Sequence, residues 1–407
     1  MPGLQIPIAR ERRLVQLADA AIAALRWLPG TGARPPSGST QRILLLRLER
    51  IGDLLMTLPA IEAAREAWPD AEIDLAVGSW NVGLAALIPG LTRIHTVDVP
   101  WLARGAPGAS WTALLAQARR WRAMRYDIVI NFEPDIRSNF LAWRTRAPSR
   151  FGYWTGGGGK LLTNASAYSP TSHVSMNARR LVAHASGLPP PLEKFRTRAQ
   201  RRLTPPPDAE QRVRALLHER PGPFIGIHAS GGRESKQWHP DRFAEVARAL
   251  SHTYGATIVL TGNDRDRPIV DRVRGQLALL PTVDASGQLD LPELAALLGR
   301  LDLLVSSDTG PMHLAAAMAT PVVALYGPAD PRRYGPDTPA SRVVRVQLPC
   351  SPCGQVRLPP PRCRGHIPDC MVGITVDAVI AAAHELLGPP LAAPRPAVPM
   401  TTPGLTR

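Results

Sequence analysis

Long apolar runs are missing from this 407-residue sequence. No stretch reaches the roughly 18 consecutive apolar residues that would span a bilayer. Segment 14–28 is interrupted by Gln16, Asp19 and Arg26, so it does not resemble a secretory signal peptide. These absences predict a cytoplasmic protein without a transmembrane helix. A hydrophobic fraction of 44% with 20% charged residues is typical of a globular chain.

Lysine is scarce as well. Of the 48 basic residues only Lys160, Lys194 and Lys236 are lysines, and the rest are arginines. The net charge of +15 indicates an anionic partner, such as a nucleotide, a phosphorylated substrate or an acidic membrane surface. No basic run is interleaved with aromatic residues and no nucleic-acid-binding signature is present. The sequence therefore predicts no nucleic-acid partner.

Cysteine occurs four times, always within segment 350–370, as Cys350, Cys353, Cys363 and Cys370. Stable disulfides are not expected in a cytosolic chain. Two residues separate the first pair, as in many zinc sites, and four thiolates could close a tetrahedral structural site. The later spacings are irregular. A structural zinc ion is therefore one interpretation of this loop, and free thiols or a redox-sensitive pair are the others.

Proline-rich stretches divide the sequence into parts, and its length suffices for two domains at roughly 150 residues each. The second domain contains the cysteine loop, and the last segment has little apolar surface to bury. The predicted parts are a basic amphipathic extension with its linker (1–40), a first α/β domain (41–188), an interdomain linker (189–208), a second α/β domain (209–388) and a disordered Pro-rich tail (389–407).

The amino-terminal extension carries one amphipathic helical pattern. The residues Leu14, Ala18, Ala21, Leu25 and Leu28 recur at helical spacing, with arginines around them. Such a stripe is typical of a helix that packs on its own protein. It is also compatible with a helix that lies on an anionic membrane surface.

Both halves alternate apolar runs with helical patterns, which is typical of a parallel sheet covered by helices on both faces. The glycine run 156–159 precedes Lys160, but Leu161 follows where a phosphate-binding loop requires Ser or Thr, so we predict a flexible surface loop there. The predicted strands are 42–48, 72–77, 127–131, 224–228, 256–261, 301–305 and 321–327. The main predicted helices are 54–68, 111–124, 240–250, 268–279, 291–298, 312–318 and 376–387.

Polar residues follow four of the predicted strands, at the sheet edge where ligands bind in parallel α/β folds. After the first strand, Gly52 permits a tight turn and Asp53 opens a helix, where its carboxylate is suited either to capping or to taking a proton from a hydroxyl group. The other three junctions combine small residues, hydroxyl groups and charge, as sites for phosphates do. Their candidate nucleotide-binding residues are Ser230, Gly231, Lys236, Gly262, Asn263, Asp308, Thr309, Gly310 and His313.

Three of these segments together resemble the lipopolysaccharide heptosyltransferase family (glycosyltransferase family 9). They are residues 47–60 (RLERIGDLLMTLPA), 228–231 with 235–238 (HASG and SKQW), and 307–315 (SDTGPMHLA). The similarity continues in order from about residue 42 to 387. Because it joins several motifs, it is more specific than any one of them.

The resemblance implies the GT-B fold, in which two Rossmann-like domains face each other across a cleft. It implies an inverting, metal-independent enzyme at the inner face of the cytoplasmic membrane. The enzyme would transfer heptose from ADP-L-glycero-D-manno-heptose to a lipid-linked saccharide of the lipopolysaccharide core.

Matched residue by residue, the resemblance makes Asp53 the catalytic base. It makes Lys236, with Ser230 nearby, the partner of the donor phosphates, and places Asp308, Thr309, Gly310 and His313 in the donor-binding loop. Three alternatives stay open: another nucleotide-sugar donor, a sugar-nucleotide epimerase, or a non-catalytic module that binds nucleotide or lipid.

Overall fold

The computed structural model describes residues 4–6, 9–25, 41–102, 109–189, 199–218, 220, 222–356 and 359–389. Residues 26–40 of the predicted extension, which include the end of its helical pattern and its linker, lie outside the described residues. So do the middle of the predicted interdomain linker (190–198) and the predicted disordered tail from residue 390 on.

The first sheet is built entirely from parallel strands of the first half of the chain. Its central strands are fully buried; Leu44 and Leu45, for example, have no exposed surface. A strand buried on both faces needs a continuous apolar run, which is why β1 is so easily recognised in the sequence. The strands are β1 (Arg42–Leu46), β2 (Glu72–Val77), β3 (Arg93–Thr96), β4 (Ile128–Asn131), β5 (Ser149–Tyr153) and β6 (Asn164–Ser166).

The second sheet repeats this design in the second half, again with parallel neighbours throughout. Its strands are β7 (Phe224–His228), β8 (Thr257–Leu260), β9 (Thr282–Asp284), β10 (Leu303–Ser307), β11 (Val322–Leu325) and β12 (Ser341–Val344). The prediction of two Rossmann-like sheets is thus confirmed.

Strand order shows where each sheet can bind a ligand. The first sheet runs β3-β2-β1-β4-β5-β6, and the second runs β9-β8-β7-β10-β11-β12, so both follow the same 3-2-1-4-5-6 order. Connections leave in opposite directions on the two sides of the central pair, which opens a crevice at the carboxyl ends of those strands. The crevices therefore lie after β1 and β4 in one sheet and after β7 and β10 in the other.

Helices cover the sheets and connect their strands. Before the second sheet they are α1 (Ala9–Leu25), α2 (Ile51–Ala67), α3 (Val82–Ala85), α4 (Trp111–Met124), α5 (Ile136–Arg144), α6 (Val174–Ser186) and α7 (Pro207–Leu217). The remaining ones are α8 (Pro240–Tyr254), α9 (Arg267–Gly275), α10 (Leu291–Leu298), α11 (Gly310–Ala317), α12 (Pro331–Tyr334), α13 (Asp369–Val372) and α14 (Val376–Leu387). None of the helices in the described ranges is long and apolar enough to cross a membrane.

The glycine run does not form the predicted flexible surface loop. Gly156, Gly157 and Gly158 are buried. A Cβ atom on Gly156 would lie 1.8 Å from the carbonyl oxygen of Pro134, so only glycine allows these backbones to approach so closely. Helix α1 covers this turn, and the Asp19 carboxylate accepts the Gly158 N–H at 2.6 Å. The amino-terminal helix therefore packs on the protein through one of its faces.

Candidate active site

Asp53 lies at the crevice of the first sheet, in the first turn of α2. The helix begins at Ile51, three residues earlier than predicted, so Asp53 is its third residue and not its N-cap. The Asp53 Oδ2 atom accepts the Arg50 N–H at 3.3 Å, and Oδ1 lies 3.5 Å from Nη2 of Arg47. About a quarter of the side chain is exposed, which leaves the carboxylate accessible from the cleft.

Arg47 forms an ion pair with this carboxylate, and its side chain is almost fully buried. It donates to the carbonyl oxygens of Phe132 at 3.0 Å and of Asp53 at 3.2 Å. Burial disfavours the charge of Arg47, but the carboxylates of Asp53, Glu49 and Glu133 outweigh burial and raise its pKa. The guanidinium group thus stays charged and fixes the first turn of α2 against β4.

Glu133 follows β4 at the same crevice and is also buried. Its carboxyl group accepts the Leu48 N–H. Burial, together with the nearby Glu49 carboxylate, raises the pKa of Glu133 well above its usual value, while Arg47 opposes the shift. Two acidic side chains, Glu49 and Glu133, therefore share one buried arginine beside Asp53.

The loop after β7 forms one wall of the second crevice. Ser230 is buried, and its Oγ atom accepts the Gly232 N–H at 3.2 Å. A Cβ atom on Gly231 would lie 2.6 Å from the Gln237 nitrogen and 2.7 Å from the Lys236 carbonyl carbon. Gly231 thus allows the loop to fold back on itself, and this fold brings Lys236 to the crevice.

Lys236 reaches across to the segment after β10. Its Nζ atom lies 3.3 Å from Oδ2 of Asp308 and also donates to the Asp308 carbonyl oxygen. Thr309 is the N-cap residue of α11 but makes no side-chain capping bond; its hydroxyl group donates to the Ser307 carbonyl oxygen at 3.2 Å. The side chains of Asp308 and Thr309 therefore bind elsewhere and do not cap α11.

His313 joins the two crevices. It is buried on α11, and a Cβ atom on Gly52 would lie only 3.3 Å from its Cδ2 atom. Burial lowers the pKa of His313 to about 4. The nearby His173 and Lys236 lower it further, whereas Asp308 and Asp53 act in the opposite direction. The imidazole is therefore neutral at pH 7. The first turns of α2 and α11 face each other, and this brings Asp53 to the segment 308–313.

The third junction occupies a more peripheral position on the second sheet. Gly262 and Asn263 follow β8, one strand beyond β7. Asn263 is exposed, and its side chain accepts the Arg265 N–H at 2.8 Å within its own turn. A Cβ atom on Gly262 would lie 3.1 Å from Asp266 and Val270. These two residues thus lie one strand away from the loop that carries Lys236 and two strands away from the segment that carries Asp308.

The four cysteines are free thiols that differ in burial. Cys350 and Cys353 are exposed, Cys363 is half-buried and Cys370 is buried. Burial raises the pKa of the Cys370 thiol to about 11, with a further contribution from Cys353 and Cys363. Within the described residues, no group of three or more His, Cys, Asp or Glu side chains is arranged to hold a metal ion. The structural zinc site stays a prediction.

A family model described as glycosyltransferase family 9 (heptosyltransferase) matches residues 114–358, more than half of the chain. The chain belongs to this family. It is 24% identical over 309 residues to the lipopolysaccharide core heptosyltransferase OpsX of Haemophilus influenzae, which covers 75% of this chain and 84% of that protein. The predicted family and the predicted glycosyltransferase activity are thus confirmed.

Solved structures agree on the architecture. A family 9 glycosyltransferase of Veillonella parvula superposes with a TM-score of 0.70 at 25% identity, over 85% of this chain and 97% of the other. The ADP-heptose lps heptosyltransferase II of Escherichia coli superposes with a TM-score of 0.68 at 21% identity, over 85% of this chain and 98% of the other. With two facing parallel sheets, these matches confirm the predicted GT-B fold.

Three residues of this site are not among those predicted from the sequence. They are Arg47, Glu133 and His173. Arg47 had a usable signal, since it interrupts an apolar run between Leu46 and Leu48. Glu133 stands two residues after a predicted strand, where polar groups meet the crevice. His173 gave no local signal; its Nε2 atom lies 3.0 Å from the Gly335 carbonyl oxygen in the other half of the chain.

Proposed function

We propose that this glycosyltransferase transfers heptose from ADP-L-glycero-D-manno-heptose to a saccharide of the lipopolysaccharide core, with inversion at the anomeric carbon. The observation that carries the proposal is the approach of His313 to Gly52, which places the carboxylate of Asp53 opposite the segment 308–313. The names of relatives support the substrates: an E. coli relative was solved with ADP-2-deoxy-2-fluoro heptose, and OpsX is a lipopolysaccharide core heptosyltransferase.

In the proposed reaction Asp53 acts as general base. An acceptor hydroxyl group attacks the anomeric carbon, its proton passes to the Asp53 carboxylate, and the bond from that carbon to the β-phosphate oxygen breaks. The electron pair leaves with ADP. A single displacement from the face opposite the leaving group inverts the configuration. Arg47 and the Arg50 N–H keep the carboxylate oriented towards the cleft.

The donor phosphates would lie against Lys236 and the first turn of α11. Lys236 supplies a positive charge, and the amino-terminal N–H groups of α11, which Thr309 leaves without a side-chain cap, supply donors for an anion. Ser230, Gly231 and Gly310 let the backbone approach the ligand, with Gly262 and Asn263 at the outer border. Charge developing on the departing ADP would thus be stabilised without a catalytic metal.

A lipid-linked acceptor would place the enzyme at the inner face of the cytoplasmic membrane, as a peripheral protein. The net charge of +15 supports an anionic surface as its partner. We propose no nucleic acid among the partners, because the charge is not arranged in a recognisable nucleic-acid-binding module.

Cys350, Cys353, Cys363 and Cys370 are proposed as ligands of a structural zinc ion. The neighbouring thiols contribute to the raised pKa of Cys370. Within the described residues the four thiols do not surround a common point, so loop 350–370 would have to close on the metal. Zinc quantification on protein purified without added metal tests this. A zinc-to-protein ratio near zero ends the proposal, and it leaves the catalytic scheme untouched.

The test of the proposed function compares ADP release from ADP-heptose with and without a lipopolysaccharide core acceptor, in the presence of a chelator. We expect release that depends on the acceptor and is insensitive to the chelator, with the heptose recovered on the acceptor by mass spectrometry. Epimerisation of the donor without acceptor, or transfer only from another nucleotide sugar, would contradict the proposal.

A further inference from the structure

We propose that the outward face of α1 binds the surface of an anionic lipid bilayer and holds the crevice of the first sheet, where Asp53 lies, next to the membrane. This inference rests on the proposed function, because it assumes an acceptor that is anchored in lipid. It adds the surface that would make the contact, which lies in the amino-terminal extension outside the family similarity.

The inner face of α1 is occupied by the protein itself. Val15 packs so closely on Gly157 that a Cβ atom there would lie 2.2 Å from Val15 Cγ1. Asp19 accepts the Gly158 N–H, as described above. Ahead of the helix, the Gln5 N–H donates to the Thr155 carbonyl oxygen at 2.8 Å. These contacts fix the orientation of α1, so its opposite face is held outward.

That opposite face carries large apolar side chains. Leu14 and Leu17, three residues apart and hence neighbours on one side of the helix, are 57% and 69% exposed. Ala21, one turn further on, is also exposed. We call Leu14 and Leu17 the outer stripe. An amphipathic helix normally turns such residues towards the core, whereas here the core-facing positions are filled by Val15 and Asp19.

Charge decides which partner fits the outer stripe. Arg10, Arg12 and Arg13 are exposed on the first turns of α1, and Glu11 is the one acidic residue among them. Leucines flanked by arginines on one helix are typical of helices that lie in the headgroup region of anionic membranes. A second copy of the chain would bring its own arginines against these, and like charges oppose such a contact.

The position of α1 relates this surface to the active site. The turn beneath it, Gly156–Gly158, follows β5 and packs on Pro134, next to Glu133 at the crevice. Gln5 also donates through its side chain to the Tyr168 carbonyl oxygen at 2.9 Å. The hydroxyl group of Tyr168 lies close enough to Arg47 and Arg333 for both to act on its pKa, which burial raises. A bilayer contacting α1 would therefore border the crevice that holds Asp53.

Co-sedimentation with vesicles tests the proposal on the full chain. The vesicles contain phosphatidylcholine with or without phosphatidylglycerol. We expect binding only when phosphatidylglycerol is present, and binding about tenfold or more weaker after the double substitution Leu14→Asp with Leu17→Asp, since an inserted leucine contributes on the order of tenfold to partitioning. The double substitution Arg10→Ala with Arg13→Ala should lower the preference for phosphatidylglycerol.

The matched control is Leu279→Asp, which introduces the same charge at a leucine that is 98% exposed in the other half of the chain. It should bind vesicles as the unchanged protein does. Thermal unfolding checks that all variants are folded. Equal vesicle binding by the Leu14/Leu17 variant, or no binding by the unchanged protein, would overturn the inference.

Two further outcomes separate this inference from the function it rests on. Sedimentation equilibrium that shows a dimer dissociating in the Leu14/Leu17 variant would assign the stripe to a second copy and overturn the lipid proposal. Transfer to a delipidated core saccharide in solution should be equal in the variant and the unchanged protein. If that transfer is intact while vesicle binding is absent, only the lipid inference fails; if the unchanged protein transfers nothing, the proposed function fails.

Discussion

Replacing Asp53 by Asn tests the assignment of the catalytic base with the least structural change. The amide has nearly the same shape, and its oxygen can still accept the Arg50 N–H that Asp53 accepts at 3.3 Å. It cannot take up a proton from the acceptor hydroxyl group. We therefore expect kcat to fall by ~10²- to 10⁴-fold, the usual contribution of a general base. This corresponds to about 3 to 5 kcal/mol in activation free energy.

Loss of stability cannot account for an effect of that size. The substitution removes an ion pair with Arg47 at 3.5 Å and a negative charge from the first turn of α2. A charge in that position is worth about 0.3–1 kcal/mol. Arg47 keeps its bonds to the Phe132 and Asp53 carbonyl oxygens, so the first turn should stay in place. Chemical denaturation should show a loss of about 1 kcal/mol or less.

The assay is acceptor-dependent ADP release, with ADP binding measured by calorimetry as a second readout. We expect unchanged ADP affinity in Asp53→Asn. The matched control is Glu49→Gln, because the Glu49 carboxylate also lies beside Arg47, at 3.6 Å, but outside α2. A variant Asp53→Asn that keeps its turnover, while Glu49→Gln loses it, would refute the reasoning and make Glu49 the base.

Three further variants probe the surroundings of Asp53 and the donor side. Lys236→Met should weaken ADP affinity by about 1.5–3 kcal/mol, since Asp308 then faces the phosphates alone; unchanged calorimetric affinity removes Lys236 from the phosphate site. Gly231→Ala should lower both ADP affinity and stability, the latter by about 1–3 kcal/mol, because its Cβ meets backbone at 2.6 Å, whereas a Cβ on the control Gly275→Ala meets nothing within 4 Å. For Glu133→Gln, burial raises the pKa of the native carboxyl group, so the contribution of Glu133 to stability falls as pH rises above about 4.5. Denaturation should find the variant more stable, relative to the unchanged protein, at pH 7 than at pH 4. A difference that does not depend on pH would contradict this.

The central strands could be predicted from the sequence, whereas the edge strands could not. β1, β7 and β10 are buried on both faces and lie within largely apolar runs. The four edge strands β3, β6, β9 and β12 were all missed, because an edge strand is partly exposed and carries polar residues such as Arg93 and His95. β5 was missed as well, although it is an inner strand.

The sequence by itself predicted which residues meet at the crevices. Asp53, Lys236 and Asp308 lie in the segments that follow β1, β7 and β10, and parallel strands bring their carboxyl ends to one edge. The roles proposed for these residues come from the family resemblance. One local interpretation failed because it depended on packing. The predicted flexible glycine loop is a buried turn, because α1 covers it.

Only the tertiary structure decided which residues act together. The carboxylates of Glu49 and Asp53 are near Arg47 in sequence, but Glu133 follows β4 and meets Arg47 only when β1 and β4 pair. The close approach of His313 to Gly52 was also decided by the tertiary structure, because no local sequence pattern predicts how the two domains pack on each other. It also decided the direction of α1: the sequence left both faces of this helix open, and the contacts of Val15 and Asp19 turn Leu14 and Leu17 outward.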